Sequence, residues 1–393
     1  MKDSGTGERS PKAFRLDVPD EAIADLRSRL ERVRWPDEPP LEPWSTGTSV
    51  AYLQDLVRYW RSRFDWRSWE AKLNALRQFT VPMHGIDLHF IHEEGRGPNP
   101  MPLLLSHGWP GSVIEFHKLI PMLADPVRFG GNAADSFTVV APSLPGYALS
   151  FAPGQKRFSV EDIAACFAAL MTDVLGFARF GAQGGDWGGF IASVLGHRHA
   201  ARLIGIHLNL LAVRRDPKMV ENPNAEEKAF LADLAHWLKE ETGYQAIQGT
   251  KPQTLAFGLT DSPAGLAAWI AEKFRTWSDC GGVLENAVTR DELLANISLY
   301  WFTGAIGSSF WPYHARLHGP WPIPEGETVD VPTGYAAFPT EIVRPPRSLA
   351  EKTYTDIRRW SVMPKGGHFA ALEQPELLVR EIREFFRPLR RAR

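Results

Sequence analysis

The stretch GAQGGDWGGF, residues 181–190, places an aspartate, Asp186, at the centre of a cluster of small residues between an apolar run and a helix pattern. A strand–turn–helix of that kind ordinarily carries a serine on a turn too tight for side chains around it. Gly184, Gly185, Gly188 and Gly189 leave the room, and Phe190, Ile191, Val194 and Leu195 give the following helix a face to bury. A helix-capping Asp in a Gly-rich turn is the plainer alternative; the strand before and the helix after favour a nucleophile. The exposed N–H groups and dipole of a helix N-terminus hold a carboxylate there as an anion. A serine alkoxide attacks acyl carbon, whereas a carboxylate displaces a leaving group from saturated carbon and is left as an alkyl ester. Water must then cleave that ester, which takes a general base, a group to orient the base, and an oxyanion hole.

The base candidate is His368, in PKGGHFAALEQPE. Of twelve histidines it is the one late in the chain on a Gly-rich loop at a strand end, where the order nucleophile, acid, histidine puts it. The orienting acid belongs on the loop after the preceding strand, where VPTGYAAFPTEIV supplies Glu341. Asp330 and Asp356 are weaker candidates, and the alternative acid position after LIGIHLNL shows Asn209 and no carboxylate before Asp216. For the oxyanion hole, the turn in SHGWPGS aims the backbone N–H of Trp109 at the nucleophile, with the N–H of Trp187 as second donor. His107 reads as a structural hydrogen-bonding residue.

The elements that must position these groups follow from pattern. FTVPMHGIDLHFIHEE reads as a hairpin turning at His84-Gly85. Short apolar runs then alternate with helix patterns: MPLLLSHGW, SFTVVAPSLPG, RFGAQGGD and LIGIHLNL, later VPTGYAAFP and RRWSVMPKGGHF. In SVEDIAACFAALMTDVLG, Val160, Ile163, Ala164, Phe167, Leu170, Met171 and Val174 trace one helical face, and Ser159 with Asp162 forms a capping box. Strands alternating with helices predict an α/β fold, a mostly parallel sheet covered on both faces. Four segments result: a helical, Trp-rich extension over 1–77, a core over 78–211, a mainly helical lid over 212–330, and the rest of the core over 331–393.

Composition bounds the partners. Lys and Arg number 44 against 46 Asp and Glu, which suggests no nucleic-acid or anionic-membrane partner. The basic end RPLRRAR reads as a solvated tail. The polar start MKDSGTGERSPKAF lacks the apolar region of a signal peptide, and no stretch approaches the ~18 apolar residues that span a bilayer. Two cysteines, Cys166 and Cys280, lack metal-ligand spacing. The expectation is a cytoplasmic protein that needs no metal or organic cofactor, with a homo-oligomer left open.

With these motifs in hand, the sequence resembles the epoxide hydrolases of the α/β-hydrolase superfamily, in the microsomal-type branch with an N-terminal extension. RWPDEP, HGWPGS, PSLPGYALS, GGDWGG, GYQAIQGTKPQTLAFGLTDSPAGLAAWIAEKF, VPTGYAAFPTEI and GGHFAALEQPELL carry the resemblance over nearly the whole chain. It implies an α/β-hydrolase fold with a helical lid, a small-molecule epoxide and water as reactants, and a vicinal diol as product. It also implies two lid tyrosines that donate hydrogen bonds to the epoxide oxygen; Tyr244 and Tyr313 fit the positions, though each alone reads equally well as packing. Membrane-bound members of the branch carry an N-terminal anchor, which this sequence is not expected to share, and the resemblance extends to soluble bacterial members of secondary-metabolite pathways. A haloalkane dehalogenase would share Asp186, His368 and a Trp after the nucleophile, but a halide needs no proton from tyrosines. A non-catalytic binding protein of the same fold would not be expected to keep Asp186, His368 and Glu341 together. Trp269, Phe274, Trp277, Trp301, Phe302, Phe310 and Trp311 suit a pocket for a bulky or aryl epoxide, or else the lid's own core.

Overall fold

A computed structural model describes residues 10–214 and 220–390. Among them the apolar runs form strands β1 (Lys12–Phe14), β2 (Gln78–Met83), β3 (Ile86–Glu93), β4 (Met101–Ser106) and β5 (Phe137–Pro142). Strands β6 (Phe180–Gly184), β7 (Leu203–Leu208), β8 (Thr333–Ala337) and β9 (Ile357–Val362) follow. They form one sheet in the order β1-β2-β3-β5-β4-β6-β7-β8-β9. The pairings β1–β2, β2–β3 and β3–β5 are antiparallel. From β5 across to β9 every pairing is parallel. Strands β4 to β7 are buried along their whole length, which is why they read as continuous apolar runs and not as alternation.

Successive side chains still face opposite ways. Leu104, Val140, Ala182 and Ile206 join the core under helices Val160–Ala169 and Asp186–Arg198. Leu103, Leu105, Val139 and Ala141 join the core under helix Pro375–Leu389, which buries Leu378, Val379, Ile382, Phe385, Phe386 and Leu389. Strand β4 has β5 on one side and β6 on the other, so the chain reverses its winding there and opens a crevice at the carboxyl ends of β4 and β6.

Local expectations meet the structure in detail. His84 and Gly85 turn the β2–β3 hairpin with φ of 51° and 82°, the left-handed pair that matches strand twist. Ser159 and Asp162 form the reciprocal capping box, but the helix they start widens to a π turn at Leu170–Val174 and leaves Val174 only half-buried. The extension holds helices Asp20–Glu31, Val50–Ser62 and Trp66–Asn74, and β1 adds an edge strand to the sheet. One expectation needs correction. The basic end is not wholly solvated: Arg387 makes a two-pronged bond to Asp135 at 3.0 and 2.8 Å, and Arg390 donates to the Ser136 carbonyl at 2.8 Å. The polar leader through residue 9, Asp216 and residues 391–393 lie outside the described residues.

Between β7 and β8 lie helices Ala225–Glu240, Gly243–Thr250, Pro252–Asp261, Pro263–Trp277, Arg290–Thr303 and Trp311–His318. The extension is bonded to them: Thr48 donates to the Ala268 carbonyl at 2.7 Å, Trp60 to Ser298 at 3.0 Å, and Tyr59 to Asp291 at 2.9 Å. These contacts tie the extension to the lid. Among the described residues no helix is long and apolar enough to cross a membrane.

Candidate active site

Asp186 is the first residue of its helix and takes a φ of +47°, a left-handed conformation that costs a non-glycine residue energy and marks a constrained turn. The surrounding glycines are there because backbone passes where side chains would be. A Cβ on Gly188 would lie 1.9 Å from the Ser106 carbonyl oxygen, and one on Gly185 would lie 2.2 Å from the Asn209 amide. A Cβ on Gly108 would fall 2.2 Å from Asp186 Oδ1, so the loop after β4 touches the carboxylate itself. That loop donates the Trp109 N–H to Asp186 Oδ1 at 2.7 Å. The Trp187 N–H lies in the first turn of the same helix, where main-chain donors have no partner within the helix. Oδ1 therefore lies against the donor loop, and Oδ2 faces His368 Nε2 at 3.5 Å.

His368 follows β9 and presents its other nitrogen, Nδ1, to Glu341 Oε1 at 2.6 Å. Glu341 follows β8, is fully buried at its side chain, and also accepts the Ile342 N–H at 2.7 Å. Asp330 and Asp356 lie elsewhere, bonded to Thr355 and Arg358. Burial opposes a charge on His368, but the carboxylates of Glu341 and Asp186 outweigh it and hold the imidazole well above its ordinary value. His107 is buried, accepts the Leu144 N–H at 3.1 Å, and is pushed down to about 4 by burial.

The histidine loop is gripped from the lid. The His368 N–H donates to the Trp277 carbonyl at 2.9 Å, and the Trp277 ring stands edge-on to the imidazole at 5.0 Å. Glu373 gathers the N–H groups of Gly367 and Phe369 at 2.9 Å and of Asp279 at 2.8 Å, which joins that loop to the end of a lid helix. Burial pushes the Glu373 carboxyl up to about 7, against these three bonds.

Tyr244 and Tyr313 come from different lid helices and meet with ring centroids 5.7 Å apart. Tyr244 stacks on Trp109 at 5.3 Å, and Tyr313 stands edge-on to Trp187 at 4.8 Å. The two tyrosines thus sit over the residues that supply the main-chain donors. Burial, with Tyr244 and Asp186 nearby, holds the Tyr313 phenol well above 10 and keeps its proton in place. Lys273 places its ammonium 4.9 Å from the Tyr244 ring and 2.6 Å from Glu272. A cavity of about 620 Å³ opens onto Asp186, Tyr244 and Tyr313 and is walled by Trp187, Phe190, Trp237 and Trp321. Of the two readings left open for the seven lid aromatics, the structure favours the lid's own core: none of them lines this cavity, and Phe274 and Phe310 are wholly buried.

Comparison with known proteins agrees with this geometry. Residues 11–116 match the family model "epoxide hydrolase N terminus", and residues 101–247 match "alpha/beta hydrolase fold". A Stigmatella aurantiaca protein provisionally named an epoxide hydrolase is 44% identical, covering 96% of this chain and 85% of its own. Epoxide hydrolase 1 of Oryctolagus cuniculus is 38% identical, covering 97% of this chain and 90% of its own. The chain belongs to the epoxide hydrolase family. The crystal structure of the Bombyx mori juvenile hormone epoxide hydrolase superimposes with a TM-score of 0.86 at 30% identity, over 99% of this chain and 97% of that one. The protein is an epoxide hydrolase of the α/β-hydrolase fold, and the dehalogenase alternative is not favoured.

Two carboxylates of the candidate site, Glu115 and Glu373, escaped the sequence reading, and Trp277, read there as a pocket or lid-core aromatic, was not placed against the histidine. Glu115 borders the nucleophile from the short turn Val113–Phe116, Glu373 holds the histidine loop, and Trp277 backs the imidazole. The only signal for Glu115 and Glu373 is a carboxylate inside an otherwise apolar segment, SVIEF and AALEQP.

Proposed function

We propose that this epoxide hydrolase opens a bulky, apolar epoxide, aryl-substituted ones included, through an ester on Asp186. Oδ2 attacks one epoxide carbon and the C–O bond to the ring oxygen breaks. Tyr244 and Tyr313 hold that oxygen, and one of them gives it a proton. Alkylation removes the charge of Asp186, so His368 loses one of the two carboxylates that hold its proton, releases that proton to solvent and becomes a base for the second step. His368, oriented by Glu341, takes a proton from water as the water oxygen adds to the ester carbon, and the main-chain N–H groups of Trp109 and Trp187 hold the oxyanion. The bond to the alkyl oxygen breaks, that oxygen takes the proton from His368, and the diol leaves. Two protons then return: the one left on the Asp186 carboxyl passes to His368, and the one that His368 shed returns through solvent to the tyrosine.

The single observation that carries this reading is Asp186 set between the Trp109 N–H and His368 at the base of an aromatic cavity that also holds both tyrosines. The aromatic walls support the bulky substrate. A cytoplasmic setting and a role in secondary metabolism belong to the same proposal; two unpaired, buried cysteines suit the former. A panel of styrene oxide, bulkier aryl epoxides and short aliphatic epoxides, with chiral analysis of the diols, tests it. The aryl members are expected to give the highest kcat/KM. Preference for short aliphatic epoxides would overturn the substrate class, and chloride release from 1-haloalkanes without diol formation from any epoxide would overturn the chemistry.

A further inference from the structure

A second, much smaller cavity of about 20 Å³ shares Asp186, and no other described residue, with the lining of the substrate cavity. That volume holds the centre of one water molecule. Its polar lining is unusual for so small a space: Asp186, His368, Glu115, Gln183 and Asn209 all border it. Gln183 gives its amide N–H to Asn209 at 2.9 Å, while its Oε1 is buried without a hydrogen-bond partner.

Glu115 is held at this cavity by a specific fit. A Cβ on Gly111 would lie 1.6 Å from Glu115 Oε1, so the carboxyl occupies the flank that only a glycine leaves free. Burial pushes the carboxyl up to about 8; His368 and the Gly108 main chain oppose this, and Asp186 adds to it. Tyr300, which donates to the Gly111 carbonyl at 2.7 Å, also faces the group. Near neutral pH Glu115 therefore keeps its proton, offers both a donor and an acceptor, and adds no second negative charge beside Asp186. Nothing in ring opening uses it.

We propose that this cavity seats the water that hydrolyses the ester and that Glu115 holds it in line with the Asp186 carbonyl carbon. The proposal rests on the ester reading above. One O–H of the water points at His368 Nε2 and loses its proton there; the other donates to the Glu115 carboxyl oxygen. As the oxygen adds to carbon, the proton count on Glu115 stays the same, so it acts by placement and not by transfer. A water that enters beside Asp186 and not through the substrate cavity reaches the ester while the alkyl group still fills that cavity.

The test resolves the two steps with styrene oxide. Stopped-flow tryptophan fluorescence follows ester formation and decay, with Trp109, Trp187 and Trp277 as neighbouring reporters, and acid quench with intact mass measures the ester. Glu115→Leu is expected to slow ester hydrolysis by about 10²-fold, the scale of a misplaced reactant, with ester formation within about threefold of wild type. Gly111→Ala, which pushes the carboxyl aside without touching Asp186, His368 or Glu341, is expected to do the same. Glu115→Gln, which keeps a donor and an acceptor in place, should stay within about fivefold. Wild-type ester hydrolysis in Glu115→Leu, or equal slowing of both steps, would overturn the water site. If no variant, His368→Gln included, ever shows an ester, the underlying mechanism fails instead.

Discussion

Replacing Gly108 by alanine tests how closely the site is built around its nucleophile. The new methyl would fall 2.2 Å from Asp186 Oδ1 and 2.3 Å from its Cβ, well inside contact distance. Backbone retreat is blocked, because Gly188 of the same helix already lies against the Ser106 carbonyl at the end of β4. The carboxylate must swing away, and two relations go with it: the 2.7 Å bond from the Trp109 N–H and the 3.5 Å approach to His368. Displacing the nucleophile by about 1 Å or more costs about 10²-fold in ester formation, and loss of one oxyanion donor costs about 10²- to 10³-fold in ester hydrolysis. Ester formation is therefore predicted to fall by about 10²-fold, equivalent to roughly 2.7 kcal/mol, with ester hydrolysis slowed by about 10²- to 10³-fold as well. Single-turnover fluorescence with styrene oxide reads that rate, and circular dichroism confirms that the variant is folded. A folded Gly108→Ala enzyme that forms ester within tenfold of wild type would refute the close approach.

Other expectations separate the remaining groups. Tyr244→Phe and Tyr313→Phe should each slow ring opening by about 10- to 10²-fold and ester hydrolysis far less, because the phenols act on the leaving oxygen; rapid quench measures both steps, and the reverse pattern would reject their placement. Gly258→Ala, in helix Pro252–Asp261 with open space at its Cβ position, should leave activity unchanged and raise unfolding free energy by about 0.5–1 kcal/mol, read by calorimetry. A carboxyl whose pKa rises from 4.5 to about 8 on folding favours the folded state while protonated and costs stability as pH climbs through that window. Wild type should therefore lose melting temperature relative to Glu115→Gln as pH rises from about 4.5 to about 8, with parallel curves above it; a pH-independent difference would contradict the raised pKa.

Much of the site was legible because each group lies just past a buried strand. Asp186, Glu341 and His368 follow β6, β8 and β9, where an apolar run gives way to Gly-rich or turn sequence, and the parallel sheet brings those ends together. Strand β1 was not legible: three residues, KAF, become a strand only because the edge of β2 is there to pair with. The pocket walls stayed undecided in the sequence for a related reason. Lid helices carry aromatics on several faces, and composition does not reveal which face turns inward; Trp237 and Trp321 reach the cavity while Phe274 stacks on Phe369 at 4.0 Å. Glu115 and Glu373 were invisible because their effect depends on loops distant in sequence, which no local spacing encodes.

The central claim is a covalent ester on Asp186 whose hydrolysis depends on His368. His368→Gln retains the Trp109 donor and the nucleophile while removing the base. Incubated with styrene oxide, quenched with acid and measured by intact and peptide mass spectrometry, this variant should accumulate a stoichiometric adduct of substrate mass on the peptide carrying Asp186. Absence of any adduct in a folded protein, or an adduct on another residue, would contradict the account.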